Sequence, residues 1–212
     1  MKLMLKNESK KQLHDFSKAR SQILNENTSF AVQEAYKTLR TNVRFFLQGD
    51  GCRKICVTSG AAGEGKSITL LNLAISVAQA GEKVLLIDAD MRRPSLARLL
   101  EQKATPGLSN VLAGLSTLNE SVRKSVYPNL DILFSGDVPP NPSELLGSES
   151  MQKMMDTLAK EYDYVLVDTP PVNVVSDACI VANLLDGVLV LVRQDRSRKD
   201  DVKRAVQSLR LT

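Results

Sequence analysis

The sequence predicts an α/β protein in which a doubly wound, mostly parallel sheet carries helices on both faces. Three observations predict it. Four strand-like runs, at residues 54–59, 83–90, 162–168 and 187–193, are apolar and rich in Val, Ile and Leu. Strands buried on both faces read this way, and such strands belong to parallel sheets covered by helices. Helical stretches separate the runs, so strand and helix alternate along the chain. The first strand-like run also passes through a glycine-rich turn straight into a helical run.

The elements follow in order. Residues 1–28 mix Lys, Asn, Ser and Gln without sustained apolar periodicity and read as a flexible polar arm; 29–212 read as one domain. A helix begins near Ser29, where Ala31, Ala35, Leu39, Val43 and Phe46 recur at helical spacing. Gly49, Asp50 and Gly51 break it. A strand over 54–59 is followed by a helix over 65–80, ended by Gly81, and a strand over 83–90. Two or three short helices fill 94–126, with Pro94 and Pro106 as starts or breaks. A strand over 129–136 precedes a helix over 143–162, with Gly147 as a flaw in it. A strand over 162–168, a helix over 176–185, a strand over 187–193 and a helix over 197–211 complete the pattern. A further strand would ordinarily follow that helix, so the reading expects either residues beyond Thr212 or a sheet shorter by one or two strands.

Composition narrows the chemistry. A chain of 212 residues with 43% hydrophobic content can form an ordinary core. His14 is the only histidine, which excludes a multi-histidine metal site and argues against a histidine-based triad. Three cysteines without a signal-peptide pattern predict reduced thiols. Cys52 and Cys56 are too few for a zinc site, and Cys179 reads as a small apolar residue on a helix. No apolar run approaches the 18 residues of a membrane span. The net charge of +4 is unevenly placed. Residues 1–53 carry ten basic and five acidic side chains, 54–192 eleven and sixteen, and 193–212 seven and three. Solvated helix faces account for this, as would docking of an acidic partner or an anionic membrane by the ends. Nucleic acid is not expected, because no reader motif or aromatic interleaving accompanies the basic residues.

The glycine-rich turn carries the strongest signal. Gly60, Ala61, Ala62, Gly63, Glu64, Gly65, Lys66, Ser67 and Ile68 match the pattern G-x-x-x-x-G-K-[ST] at a strand-to-helix junction. The glycines let the backbone curl so that its N–H groups face phosphate oxygens. The helix start turns its positive end toward the same charge. Lys66 can reach the β- and γ-phosphates of ATP, and the Ser67 hydroxyl can ligate Mg²⁺. The pattern predicts P-loop NTPase architecture.

Carboxylates end the neighbouring strands. Asp88 and Asp90 close VLLIDAD, and Asp168 closes YVLVD. Ligands of open parallel sheets bind beyond such strand ends. Asp168 suits the Walker-B role, a water-mediated partner of Mg²⁺. Asp88 and Asp90, two apart, would point the same way in an extended strand. One would then serve metal and one would accept a proton from an incoming hydroxyl. Each alone could equally be a strand-end cap or an ion-pair partner. Arg92 and Arg93 could face γ-phosphate charge, contact a neighbouring subunit or start a surface helix. Asp177 could stabilise a helix N-terminus or act near the γ-phosphate.

In this order SGAAGEGKS, VLLIDADMRRP and YVLVDTPP resemble the bacterial tyrosine kinases, the P-loop kinases of capsule and exopolysaccharide export. The resemblance spans roughly residues 29–212. It implies ATP-dependent tyrosine phosphorylation, including autophosphorylation, with Lys66, Asp88, Asp90 and Asp168 catalytic and with Ser67, Asp88 and Asp168 at the metal. The family carries Glu-x-x-Arg-x-x-Arg on the helix before the first strand, used for ring-like self-association. The matching residues are Glu34, Lys37 and Arg40, with Lys replacing the first Arg. An intrahelical ion-pair ladder would use the same spacing. The resemblance also implies a separate membrane adaptor that activates the kinase, tyrosine-bearing protein substrates, and a cytoplasmic location at the inner face of the membrane through that partner.

Two departures bear on this. Ala62 stands where many members have Pro, and the family's terminal tyrosine cluster has no counterpart among Tyr36, Tyr127, Tyr162 and Tyr164. A positioning or partition ATPase would share the sheet but carry an extra lysine early in the loop, where this chain has Ala61. A nucleotide-gated assembly scaffold with little catalysis would use the same loop.

Overall fold

The computed structural model describes residues 17–47 and 49–211. Residues 1–16, with His14, lie outside the described residues, as does Thr212. The elements in chain order begin with α1 (Phe30–Phe46), β1 (Arg53–Ser59), α2 (Lys66–Ala78) and β2 (Val84–Asp88). Next come α3 (Leu96–Leu99), α4 (Leu108–Leu112), α5 (Leu118–Ser121), β3 (Val122–Lys124) and β4 (Leu130–Leu133). The chain continues with α6 (Pro142–Leu146), α7 (Glu149–Leu158), β5 (Tyr164–Asp168), α8 (Asp177–Ala182), β6 (Gly187–Leu191) and α9 (Lys199–Leu209).

One six-stranded sheet has the order β3-β4-β2-β5-β1-β6. All pairings are parallel except β3 with β4. Successive residues of a strand face opposite sides, and the two apolar layers follow that rule. Val84 and Leu86 join Leu70, Leu73 and Val77 of α2 on one side, while Leu85 and Ile87 join Met151, Met155 and Leu158 of α7 on the other. The runs at β2 and β5 are buried throughout because both faces are covered, whereas β6, at the sheet edge, is half-buried.

Several elements depart from expectation. The helix expected over 143–162 is two helices, α6 and α7, broken at Gly147. Ser148 starts the second by accepting a hydrogen bond from Met151 N–H, so the break is a capped junction. The 94–126 segment contains β3 as well as its three short helices; three residues are too few to show an alternating pattern. The strand read over 83–90 ends at Asp88. Residues 17–28, expected in a flexible arm, are ordered: 17–20 are helical and Ile23 and Leu24 are buried. Asn72, on α2, accepts from Leu24 N–H at 2.9 Å and donates to the Gln22 carbonyl at 2.8 Å. Tertiary hydrogen bonds to a buried amide hold this segment, and no local periodicity announces them.

Candidate active site at the phosphate loop

The loop between β1 and α2 is built by its glycines and by ties to neighbouring segments. Gly63 and Gly65 have φ of +76° and +96°, in the left-handed region that glycine tolerates. Gly65 is the N-cap of α2, and Lys66, its first residue, is buried. The Ser59 hydroxyl donates to the Ala61 carbonyl at 2.7 Å, and Glu64 accepts from Ala61 N–H at 3.2 Å. Ala62 is exposed, and Ile68 packs against the core.

β1 and the segment after β5 are strapped together. Thr58 donates its hydroxyl to the Pro170 carbonyl, and Thr169 donates its own to the Val57 carbonyl, each at 2.8 Å. The strap fixes where Asp168 ends its strand relative to the loop. Segment 193–201 closes the other side. The Ser197 hydroxyl donates to Glu64, and Arg193 donates to the Gly63 carbonyl at 3.3 Å. A Cβ on Gly60 would lie 3.1 Å from the Asp201 carbonyl oxygen, so only glycine leaves this approach unstrained.

The sheet brings Asp88 and Asp168 into register on adjacent strands, both with no exposure. Asp88 Oδ2 accepts from Ser95 N–H at 3.2 Å and Leu96 N–H at 3.1 Å. Its Oδ1 and both oxygens of Asp168 have no hydrogen-bond partner among the described residues. Burial pushes the Asp88 carboxyl well above the usual carboxylate range, and the charge of Asp168 adds to this. Burial likewise raises Asp168, with Ser67 and Lys66 pulling partly against it. Buried, unsatisfied carboxylate oxygens beside a hydroxyl and an ammonium form a site suited to a hard cation, which takes oxygen ligands.

Asp90 lies past the end of β2, half-buried, and accepts from Arg93 N–H at 2.9 Å. The extended geometry that would aim it alongside Asp88 therefore stops at Asp88. Its charge still raises both buried carboxyls. Arg92 is engaged elsewhere: its Nε lies 2.8 Å from the buried Asp177, and the Ser143 hydroxyl joins the pair. Asp177, in the first turn of α8, is an ion-pair partner.

Sequence reasoning missed Ser95, whose hydroxyl donates to that of Ser67 at 2.7 Å and whose N–H holds Asp88. Its place before α3, after Pro94, was the available signal. It also missed Thr58, Thr169, Ser143 and Ser197, whose roles depend on contacts between distant segments. On α1, Lys37 pairs with Glu34 at 2.7 Å within the helix, whereas Arg40 reaches the Ser76 carbonyl at 2.5 Å. The three expected oligomerisation residues thus divide between a ladder and a tie to α2.

Cys52, Cys56 and Cys179 are free thiols, with Cys56 buried and Cys179 half-buried. No group of three metal-ligating side chains of the His/Cys/Asp/Glu type occurs among the described residues. None of the described helices is long and apolar enough to cross a membrane.

The AAA domain family matches residues 52–201. Tyrosine-protein kinase YwqD of Bacillus subtilis is 40% identical over 176 residues, covering 83% of this chain and 74% of the relative. Among solved structures, the chimerical protein CapA2B2 superposes with a TM-score of 0.83 at 36% identity, covering 88% of this chain and 82% of its own. The kinase domain of Escherichia coli tyrosine kinase ETK gives a TM-score of 0.82 at 34% identity, covering 85% and 71%. Identity at this level over more than four-fifths of the chain makes this chain a member of the bacterial P-loop tyrosine kinases.

Proposed function

We propose that this kinase moves the γ-phosphoryl group of ATP to tyrosine hydroxyls, its own kind included, and so regulates capsular or exopolysaccharide synthesis and export. The observation that supports this most directly is the group of three unpartnered carboxylate oxygens on Asp88 and Asp168 beside the phosphate loop. The loop amides from Gly60 to Ser67, with Lys66 at the positive end of α2, bind and orient the phosphates. Lys66 also stabilises charge that builds on the transferred group. Ser67, Asp88 and Asp168 fit Mg²⁺, and they would hold it where it would neutralise phosphate charge. Asp90 is half-buried and lies outside the dry pair, so an incoming phenol can reach it, and it accepts the phenolic proton. Ser95 positions both Asp88 and Ser67.

Glu34 and Lys37, on the exposed side of α1, are assigned to self-association, whereas Arg40, expected beside them, is tied to the Ser76 carbonyl. A membrane adaptor would bring the kinase to the cytoplasmic face of the membrane and activate it.

The test uses γ-labelled ATP, Mg²⁺, the purified chain and a tyrosine-rich acceptor peptide, with Lys66→Met as control. Label on tyrosine that disappears in the control supports the proposal. Free phosphate alone would replace it with a positioning-type ATPase. Neither product, even with the adaptor's cytoplasmic segment added, would leave a nucleotide-gated scaffold.

A further inference from the structure

A cavity of about 650 Å³ opens at the end of the sheet opposite the phosphate loop. Arg53 begins β1, Tyr164 begins β5 and Glu82 lies just before β2. The C-terminal half of α1 and the end of α2 complete the walls. Tyr164 and Asp168 are the two ends of β5, so the cavity and the nucleotide site stand about 13 Å apart along that strand.

The walls pair positive charge with an apolar floor. Among the described residues, Arg40, Arg44 and Arg53 line the cavity with Glu82 as the one acidic side chain, an excess of two positive charges. Arg53 is fixed: it donates to the Leu47 carbonyl at 3.1 Å and its guanidinium carbon lies 5.4 Å from the centre of the Tyr164 ring. Arg40 is held by its bond to the Ser76 carbonyl. Each of these two guanidinium groups keeps further N–H donors beyond those bonds. Arg44 makes no hydrogen bond or ion pair among the described residues. Phe45, Val77 and Ala80 supply apolar wall, and Phe45 is 68% exposed.

We propose that this cavity binds a phosphotyrosine side chain. The three arginines match a phosphate that carries about −1.5 to −2 charge and accepts planar, bidentate hydrogen bonds. The apolar wall matches the ring, and the ring is what a bare phosphate lacks. The volume far exceeds what a phosphate alone would fill. Phosphotyrosine is the product of the chain's proposed activity, and the assignment rests on that reading only for the choice of ligand. Product held a strand's length from the catalytic loop would keep phosphorylated chains near the enzyme without occupying its active site.

The test measures fluorescence anisotropy of a short, otherwise neutral labelled peptide with one phosphotyrosine, using the full chain with Mg·ADP saturating the nucleotide site. The same peptide with tyrosine or phosphoserine serves for comparison. The phosphotyrosine peptide should bind about tenfold or more tightly than either. Arg44→Glu and Ala80→Trp, one reversing charge and one filling the floor, should each weaken it by about tenfold or more. Both positions are exposed, and circular dichroism verifies folding. Equal binding of phosphoserine, no loss in folded variants, or displacement by phosphatidylglycerol vesicles but not by free phosphotyrosine would each overturn the proposal. The peptide is synthetic, so failure here leaves the kinase proposal standing, and failure of the transfer assay leaves this binding measurable.

Discussion

Asp88 and Asp168 face each other in register at the ends of two neighbouring parallel strands, and neither carboxyl has any contact with solvent. Two acids in that position cannot both ionise cheaply without a cation, so the pair couples stability, pH and ligand binding.

In the ligand-free protein both carboxyls titrate above the ordinary value of 3.8, chiefly because burial disfavours charge. The folded state then holds more protons than the unfolded chain, and stability falls as pH rises from 3.8 through about 7, the value to which Asp168 is pushed. Asp168→Asn removes this penalty. It should raise the melting temperature at pH 8 by about 2–4 °C per kcal/mol recovered, and the gain should shrink at pH 5. Scanning calorimetry at both pH values checks this; an equal gain at both would contradict the burial argument.

Replacement of Asp90 tests its proton-accepting role. Asp90→Asn should lower the rate of transfer to tyrosine by about 10²-fold or more while nucleotide affinity changes little. Asp88→Asn should also abolish transfer, since it removes an oxygen of the cation site. Its effect should come with altered Mg²⁺ dependence of nucleotide binding, which Asp90→Asn should lack. Titration with a fluorescent ADP at varied Mg²⁺ separates the two.

Asp177 is buried and, among the described residues, Arg92 is its one ion-pair partner. Arg92→Ala should destabilise the protein by about 2 kcal/mol, less than for a fully buried pair because the arginine is partly exposed. Asp177→Asn added to it should recover part of the loss. Urea unfolding of the three variants measures the coupling, and purely additive losses would show that the pair contributes nothing of its own.

On α1, Glu34→Lys reverses one charge of the exposed ladder. Light scattering should show a shift toward monomer, with the helix intact because an isolated pair of this kind is worth only about 0.3–0.5 kcal/mol. An unchanged mass would move self-association to another surface.

Much of the fold was legible because its cause is local and repetitive. A strand covered on both faces must be largely apolar, and the runs at β2 and β5, buried along their whole length, show that requirement directly, while β6 at the sheet edge is only half-buried. The phosphate loop was legible for a similar reason: left-handed turns at Gly63 and Gly65, a lysine and a hydroxyl must follow one another within a few residues. Asp88 and Asp168 could be placed because strand ends in such sheets have one fate.

The remainder depended on long-range meetings. Ser95 reaches Ser67 and Asp88 only after α3 folds back over α2, and Ser197 meets Glu64 across 133 residues. Arg92 had three plausible roles in the sequence and one after Asp177 and Ser143 came beside it. Tyr164 reads as one more apolar strand residue until Arg40, Arg44 and Arg53 converge around it. By itself the sequence determined which segments become buried strands and where phosphate binds, because those follow from neighbouring residues. Only the tertiary structure decided which carboxyls stay dry, which arginines are already paired, and where positive charge gathers on an apolar floor, because those are set by distances between segments far apart in the chain.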